Sequence, residues 1–192
     1  MLDGESSIWL WGITHEGKRV LIVDNNYPAY FYLLPRPDQD PEELKRKLES
    51  EKPYPTIERA RLEKKKLLSQ ERVVLKIFCN DPAELERAAR ETLRKLGAAA
   101  TYEDRLRQAI KYQNDFGIKP CQWYEVDTKP SSIDPQLYSV EETHTAAVHP
   151  TPVPKEEPPK LDVFAFSPLS VSRTGAPSPI RDPIRIIAST TG

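Results

Sequence analysis

The chain has 192 residues, 38% hydrophobic and 30% charged, with 19 Pro, 7 Gly and 2 Cys. Its apolar share lies below the about 45–50% of an ordinary globular chain, so a core forms over part of the length only, and no run of about 18 apolar residues offers a membrane-spanning helix. The net charge of −1 is unevenly spread, with 3 basic and 8 acidic side chains in residues 1–43, 19 and 12 in residues 44–119, and 6 and 9 in residues 120–192; a basic middle suits a polyanion-facing surface or a merely solvated one.

The first elements are strands. Ser7–Ile13 is rich in β-branched and aromatic residues, Thr14–Lys18 is turn-like, and Arg19–Asp24 is a second strand, together a β-hairpin. Ala29–Leu34 is a third strand, stopped by Pro35 and Pro37. Asp40, Pro41 and Glu43 have the spacing of a helix start, with Leu44 and Leu48 one turn apart on the apolar face. Residues 56–63 alternate weakly and lead into Lys64, Lys65 and Lys66. Arg72–Cys79 is the clearest strand in the chain. Asp81 and Pro82 repeat the helix-start chemistry for a helix that runs to Leu96 and stops at Gly97. A short strand fits Ala98–Tyr102. A third helix is expected over Asp104–Phe116, with Leu106, Ala109, Ile110 and Gln113 on its inner face. Pro120–Val126 reads as extended.

From residue 29 to about 102 the order is strand–helix–strand–strand–helix–strand. This predicts an α+β fold, a β-hairpin plus a ferredoxin-like antiparallel sheet covered by two helices. RNA-recognition modules share that plan, but this sheet lacks their paired aromatic motif. Residues 128–160 are rich in Pro, Lys and Glu and read as a Pro-rich linker. Beyond them, residues 161–166 and 183–189 form two apolar strands that cannot bury themselves alone. The expected domains are therefore 1–127, the linker 128–160, and an incomplete segment 161–192.

Cys79 and Cys121 lie in apolar contexts and are expected as two buried thiols. No catalytic set, metal-spaced cluster or nucleotide-binding Gly-rich loop occurs, so neither a metal nor a cofactor is expected. Asp104, Glu103, Asp115, Glu141 and Glu142 read as caps and solvated surface. Met1–Glu5 lacks the basic and apolar regions of a signal peptide, which points to a cytoplasmic location.

Three stretches together resemble the N-terminal part of archaeal family-B DNA polymerases. The first is Gly12–Lys18 followed by Tyr27–Leu34. The second is Leu62–Lys65, the strand 72–79, Asp81-Pro82, and Tyr112 with Phe116–Pro120. The third is Leu161–Phe166, a Gly-containing loop, and Arg181–Ile187. The resemblance implies an N-terminal domain lying against single-stranded template DNA, then the opening of a ribonuclease-H-like proofreading exonuclease domain.

In that family the first exonuclease strand ends in Asp-x-Glu, whose carboxylates share one face of a strand and hold two metal ions. Here Ser167, Pro168 and Leu169 stand in the corresponding places, so the resemblance carries the strand without the chemistry. The positions matching the family's uracil pocket are Gly12, Pro28, Leu85 and Lys111. Gly12 replaces an aromatic ring and Lys111 an arginine fork. The candidate phosphate contacts are Lys64, Lys65, Lys66, Lys111 and Lys119. The family's activity is DNA-directed DNA polymerisation, but the palm with its catalytic aspartates is absent, so no activity is expected of this chain alone. A second polypeptide carrying the rest of a polymerase is the expected partner. The alternative is a stand-alone protein-interaction module with no nucleic-acid role.

Overall fold

A computed structural model of the chain describes residues 6–67, 69–154, 157, 164–172, 175–176, 178, 180–182 and 184–191. The strands are β1 (Ile8–Ile13), β2 (Arg19–Asp24), β3 (Ala29–Leu34), β4 (Ile57–Leu67), β5 (Gln70–Cys79) and β6 (Ala100–Tyr102), then β7 (Tyr124–Glu125), β8 (Thr128–Pro130), β9 (Glu142–Ala146), β10 (Thr151–Pro152), β11 (Phe164–Ser170) and β12 (Ile184–Thr191). The helices are α1 (Pro41–Glu51), α2 (Leu85–Leu96) and α3 (Gln108–Phe116). The chain divides into two compact units, 1–158 and 159–192.

The centre of the first unit is an antiparallel sheet in the order β4-β5-β3-β6, with α1 and α2 on one face. This is the ferredoxin-like arrangement that the order of elements predicts. Strand alternation divides the side chains of β3 and β5 between two cores. Ala29, Phe31, Leu33, Leu75, Ile77 and Cys79 pack towards Leu44 and Leu48 of α1 and Leu85, Ala88 and Ala89 of α2. Tyr30, Tyr32, Val74 and Phe78 pack on the other side with Tyr27 and Tyr112. Each fully buried Leu contributes about 1.5–3 kcal/mol.

The helix ends follow their sequence signals. Asp40 accepts the Glu42 N–H at 3.2 Å, with Pro41 at the first helical position. Gly97 takes φ 61° and closes α2 by donating its N–H to the Leu93 carbonyl at 3.0 Å. Pro82–Glu84 is a 3-10 turn, so α2 proper begins at Leu85.

A second four-stranded sheet has the order β1-β2-β9-β8, with β9 parallel to β2. This corrects the linker reading for residues 128–154. β9 closes the open edge of β2, and β10 pairs with β7. Polar contacts rather than apolar burial fix the segment. Arg19 donates to Glu141 at 2.6 and 2.9 Å, Lys18 pairs with Glu142 at 2.7 Å, and Asn26 Nδ2 donates to the Ala146 carbonyl at 3.2 Å. Glu141 and Glu142 are thus partners of the first hairpin and not merely solvated surface.

α3 also differs from expectation. It starts at Gln108, and its buried residues are Lys111 and Tyr112, while Leu106 and Ile110 are 44% and 45% exposed. Tyr112 turns the helix: its ring meets Tyr27 and Phe116 edge-on at 5.1 and 4.9 Å, and its hydroxyl donates to Asp24 at 2.7 Å. Those partners outweigh the aliphatic stripe. Cys79 is buried as expected, but Cys121 is exposed, and both are free thiols. Burial pushes the Cys79 thiol up to about 12.

In the second unit β11 and β12 form an antiparallel pair. Phe164, Phe166, Ile184, Ile186 and Ile187 are each more than half exposed. Residues 161–163 and 183, counted in the two strands by sequence, lie outside the described residues.

Asp24 is wholly buried and accepts from Tyr112 Oη, from His149 Nδ1 at 2.6 Å and from the Asn26 N–H at 2.8 Å. Burial pushes its carboxyl up, but the donors from Tyr112, Asn26 and His149 win and hold it below the ordinary carboxylate range. The stability it supplies is complete above the unfolded value of about 3.9 and is lost as pH falls through the lower folded value. Asp24→Ala should cost about 3 kcal/mol near neutral pH in denaturant unfolding, and the gap from the native chain should narrow below about pH 4.

Candidate nucleic-acid interface

β4 and β5 form a long hairpin whose outer end runs past β3, because β3 pairs only with Leu75–Cys79 of β5. The three consecutive lysines fall on β4 near this end. Alternation splits them: Lys64 and Lys66 are exposed on one side, and Lys65 lies on the other, with Nζ 4.8 Å from the Tyr32 ring centroid. Lys64 meets Glu71 at 3.4 Å in a solvated pair worth little. Lys119 is exposed beyond α3, on a separate element.

Lys111 departs from the expected set. It is 1% exposed, and its Nζ donates to the Tyr30 carbonyl while lying 4.5 Å from the Tyr30 ring centroid. An ammonium so placed is a structural donor and not a surface phosphate contact.

The sheet face turned away from α1 and α2 carries cations that sequence reading missed. Arg59 lies opposite Phe78 in the β4–β5 ladder and Arg61 opposite Lys76. The Arg59 guanidinium carbon sits 4.5 Å from the Phe78 ring centroid, and that of Arg61 sits 5.4 Å away. Lys76 Nζ is 3.7 Å from the Tyr30 centroid and 5.6 Å from that of Tyr32. Burial pushes Lys76 down, against the pull of Glu63 and Asp115. The same face therefore does bear aromatic rings on adjacent strands, Tyr30 and Tyr32 on β3 and Phe78 on β5. They are 5% exposed or less and are capped by the chain's own cations. The even spacing of Arg59, Arg61 and Lys65 (i, i+2, i+6) was the available signal, and it became readable only with the register of β4.

Asp115, read from sequence as surface, accepts the hydroxyls of Tyr27 and Tyr30 at 2.8 and 2.9 Å. Among the described residues, no group of three His, Cys, Asp or Glu is placed to hold a metal ion.

The four uracil-pocket-like positions lie on four elements. Gly12 is exposed on β1, where an added Cβ would meet Val20 Cγ1 at 3.8 Å. Pro28 joins β2 to β3, Leu85 is packed into the core beneath α2, and Lys111 is committed to Tyr30. Ser167 and Leu169 fall two residues apart on β11, opposite Ala188 and Ile186, with Pro168 between them. Neither offers a carboxylate.

No protein-family model matches the chain. It is 28% identical over 189 residues to DNA polymerase 2 of Aeropyrum pernix, covering 94% of this chain and 23% of that protein. It is 19% identical over 129 residues to DNA polymerase 3 of Saccharolobus solfataricus, covering 66% and 16%. Among solved structures it matches the family-B DNA polymerase of the hyperthermophilic archaeon Pyrobaculum calidifontis, with a TM-score of 0.76, 25% identity, and coverage of 99% of this chain and 24% of that one. The chain is homologous to the N-terminal region of archaeal family-B DNA polymerases. It spans under a quarter of the length of these polymerase relatives. The α+β architecture agrees with the polymerase match, and no helix among the described residues is long and apolar enough to cross a membrane.

Lys111 gives this region a pH signature. Burial pushes its pKa down to about 8, against the opposing pull of Glu103 and Asp104. The folded value lies below the ordinary lysine value of 10.5, so the unfolded chain holds the extra proton between them and stability rises with pH over that window. Urea unfolding should show a gain on the order of 2 kcal/mol from about pH 8 to about pH 10.5, which Lys111→Met should lack.

Proposed function

We propose that the chain is the non-catalytic amino-terminal part of a family-B DNA polymerase, which holds single-stranded template and scaffolds the polypeptide that carries synthesis. The observation that carries this reading is the projecting β4–β5 hairpin, with Lys64 and Lys66 exposed, in a homologue of a polymerase N-terminal region. Phosphates binding there release counterions and fix the position of the strand without reading its sequence. β11 and β12 then represent the opening strands of an exonuclease-type domain that has lost its metal-holding pair, with Ser167 and Leu169 in place of carboxylates. Template handling of this kind belongs to cytoplasmic DNA replication or repair and calls for no cofactor in this chain.

A labelled single-stranded oligonucleotide should bind weakly, without sequence preference, and with an affinity that falls steeply between about 50 and 200 mM salt. Lys64→Glu with Lys66→Glu should lower affinity at low salt and flatten the log–log salt slope by roughly 1.4, about 0.7 per lost contact on a single strand. Binding that ignores both salt and charge reversal overturns the reading. Incubated with Mg²⁺ or Mn²⁺, the chain should leave a single-stranded primer intact; degradation abolished by substituting one of its own residues contradicts the lost-exonuclease assignment.

A protein-interaction role draws on a different surface. Trp11 and Leu137 are 59% and 73% exposed, and Trp9 bridges Trp11 and Tyr138 with centroids 5.9 and 5.0 Å away. Lys18 and Arg19, at the end of the same hairpin, are paired with Glu142 and Glu141.

A further inference from the structure

The face of the β4-β5-β3-β6 sheet turned away from α1 and α2 gathers cations along β4 and β5. Arg59, Arg61, Lys65 and Lys76 lie there; Glu63 and Glu103 act on Lys65, and Glu63 and Asp115 on Lys76. Glu63 is already engaged by Arg61, at 2.7 Å from Nε and 2.5 Å from Nη2, and by the Tyr32 hydroxyl at 3.3 Å. Arg59 is different. Its guanidinium carbon lies 4.5 Å from the Phe78 ring centroid, the residue is exposed, and no side-chain hydrogen bond or ion pair to it occurs among the described residues. A guanidinium presents five donors in a plane, and such a plane can stack on a base.

We infer that Arg59, held over Phe78, is a stacking step for a base of single-stranded nucleic acid, with its edge donors directed at the adjoining phosphate. The strand that Lys64 and Lys66 hold by its backbone then passes round β4, the edge strand, to reach Arg59 on the other side. The aromatic rings of this face are too buried to stack on directly, so the guanidinium serves as their outward surface. Stacking on a planar cation tolerates every base, which agrees with binding that has no sequence choice. The inference rests on the template-holding reading above and adds to it a contact with bases rather than phosphates.

The test compares two labelled strands of equal length, an oligothymidylate and an abasic deoxyribose-phosphate strand, by fluorescence anisotropy. The native chain should prefer the oligothymidylate by roughly fivefold or more. Arg59→Lys keeps the charge and removes the plane. It should bring that preference to about one, with the melting temperature and the affinity for the abasic strand unchanged. Lys64→Glu with Lys66→Glu should instead weaken both strands alike. Salt-dependent binding of both strands with no preference for bases, or a preference that survives Arg59→Lys, overturns the stacking step and leaves the hairpin reading intact. If neither strand binds, both fall.

Discussion

Donors from three parts of the chain converge on the buried Asp24 carboxylate: the Tyr112 hydroxyl of α3, the His149 ring from the segment that follows β9, and the backbone and side-chain amides of Asn26 just beyond β2. Phe116 stacks on His149 with centroids 3.9 Å apart, and Tyr27 meets Tyr112 edge-on, so the polar knot lies inside an aromatic shell. In surroundings of low polarity each of these bonds is stronger than in water, and an unpaired member costs more. The orientation of α3 follows from this point, and so does the return of residues 142–149 to β2. The position of Lys111 follows too, since it is fixed once Tyr112 faces inward.

The two faces of the ferredoxin-like sheet answer burial by different means. Under α1 and α2 the contacts are apolar and need no direction. On the other face hydroxyls, ammoniums and rings interleave. Tyr27 and Tyr30 share Asp115, while Lys76 and Lys111 both lie against the Tyr30 ring. A cation held against rings keeps part of its charge visible from outside, whereas a cation neutralised by a carboxylate does not. This face therefore buries aromatic area against cations, with Arg59 and Arg61 as its outermost layer.

Much of the fold was legible because local signals and global pattern agreed. Asp40 with Pro41, Gly97, and the alternation of Ala29–Leu34 each mark a boundary or a face that the structure contains. The failures share a cause. Leu106 and Ile110 suggested the inner face of a helix, but Tyr112 and Lys111 had specific partners far away in sequence, Asp24 and the Tyr30 carbonyl. Residues 142–146 looked like linker because they lack apolar anchors, yet backbone pairing with β2 and ion pairs to Lys18 and Arg19 hold them. Arg59 and Arg61 went unnoticed because their meaning depends on lying opposite Phe78 and Lys76, which is a matter of register.

The two cysteines differ in a way that reaches beyond packing. Cys121 is exposed and Cys79 lies at 0% exposure at the end of β5, facing α1 and α2, with its thiol held protonated. Only a thiolate reacts readily with an alkylating reagent, so the folded chain offers one reactive sulfur and the unfolded chain two. The mass of the alkylated chain thus counts molecules in which the helix-covered core has opened. A reporter dye placed on the native protein goes to Cys121 alone, on the loop after α3 and away from the lysine hairpin in sequence.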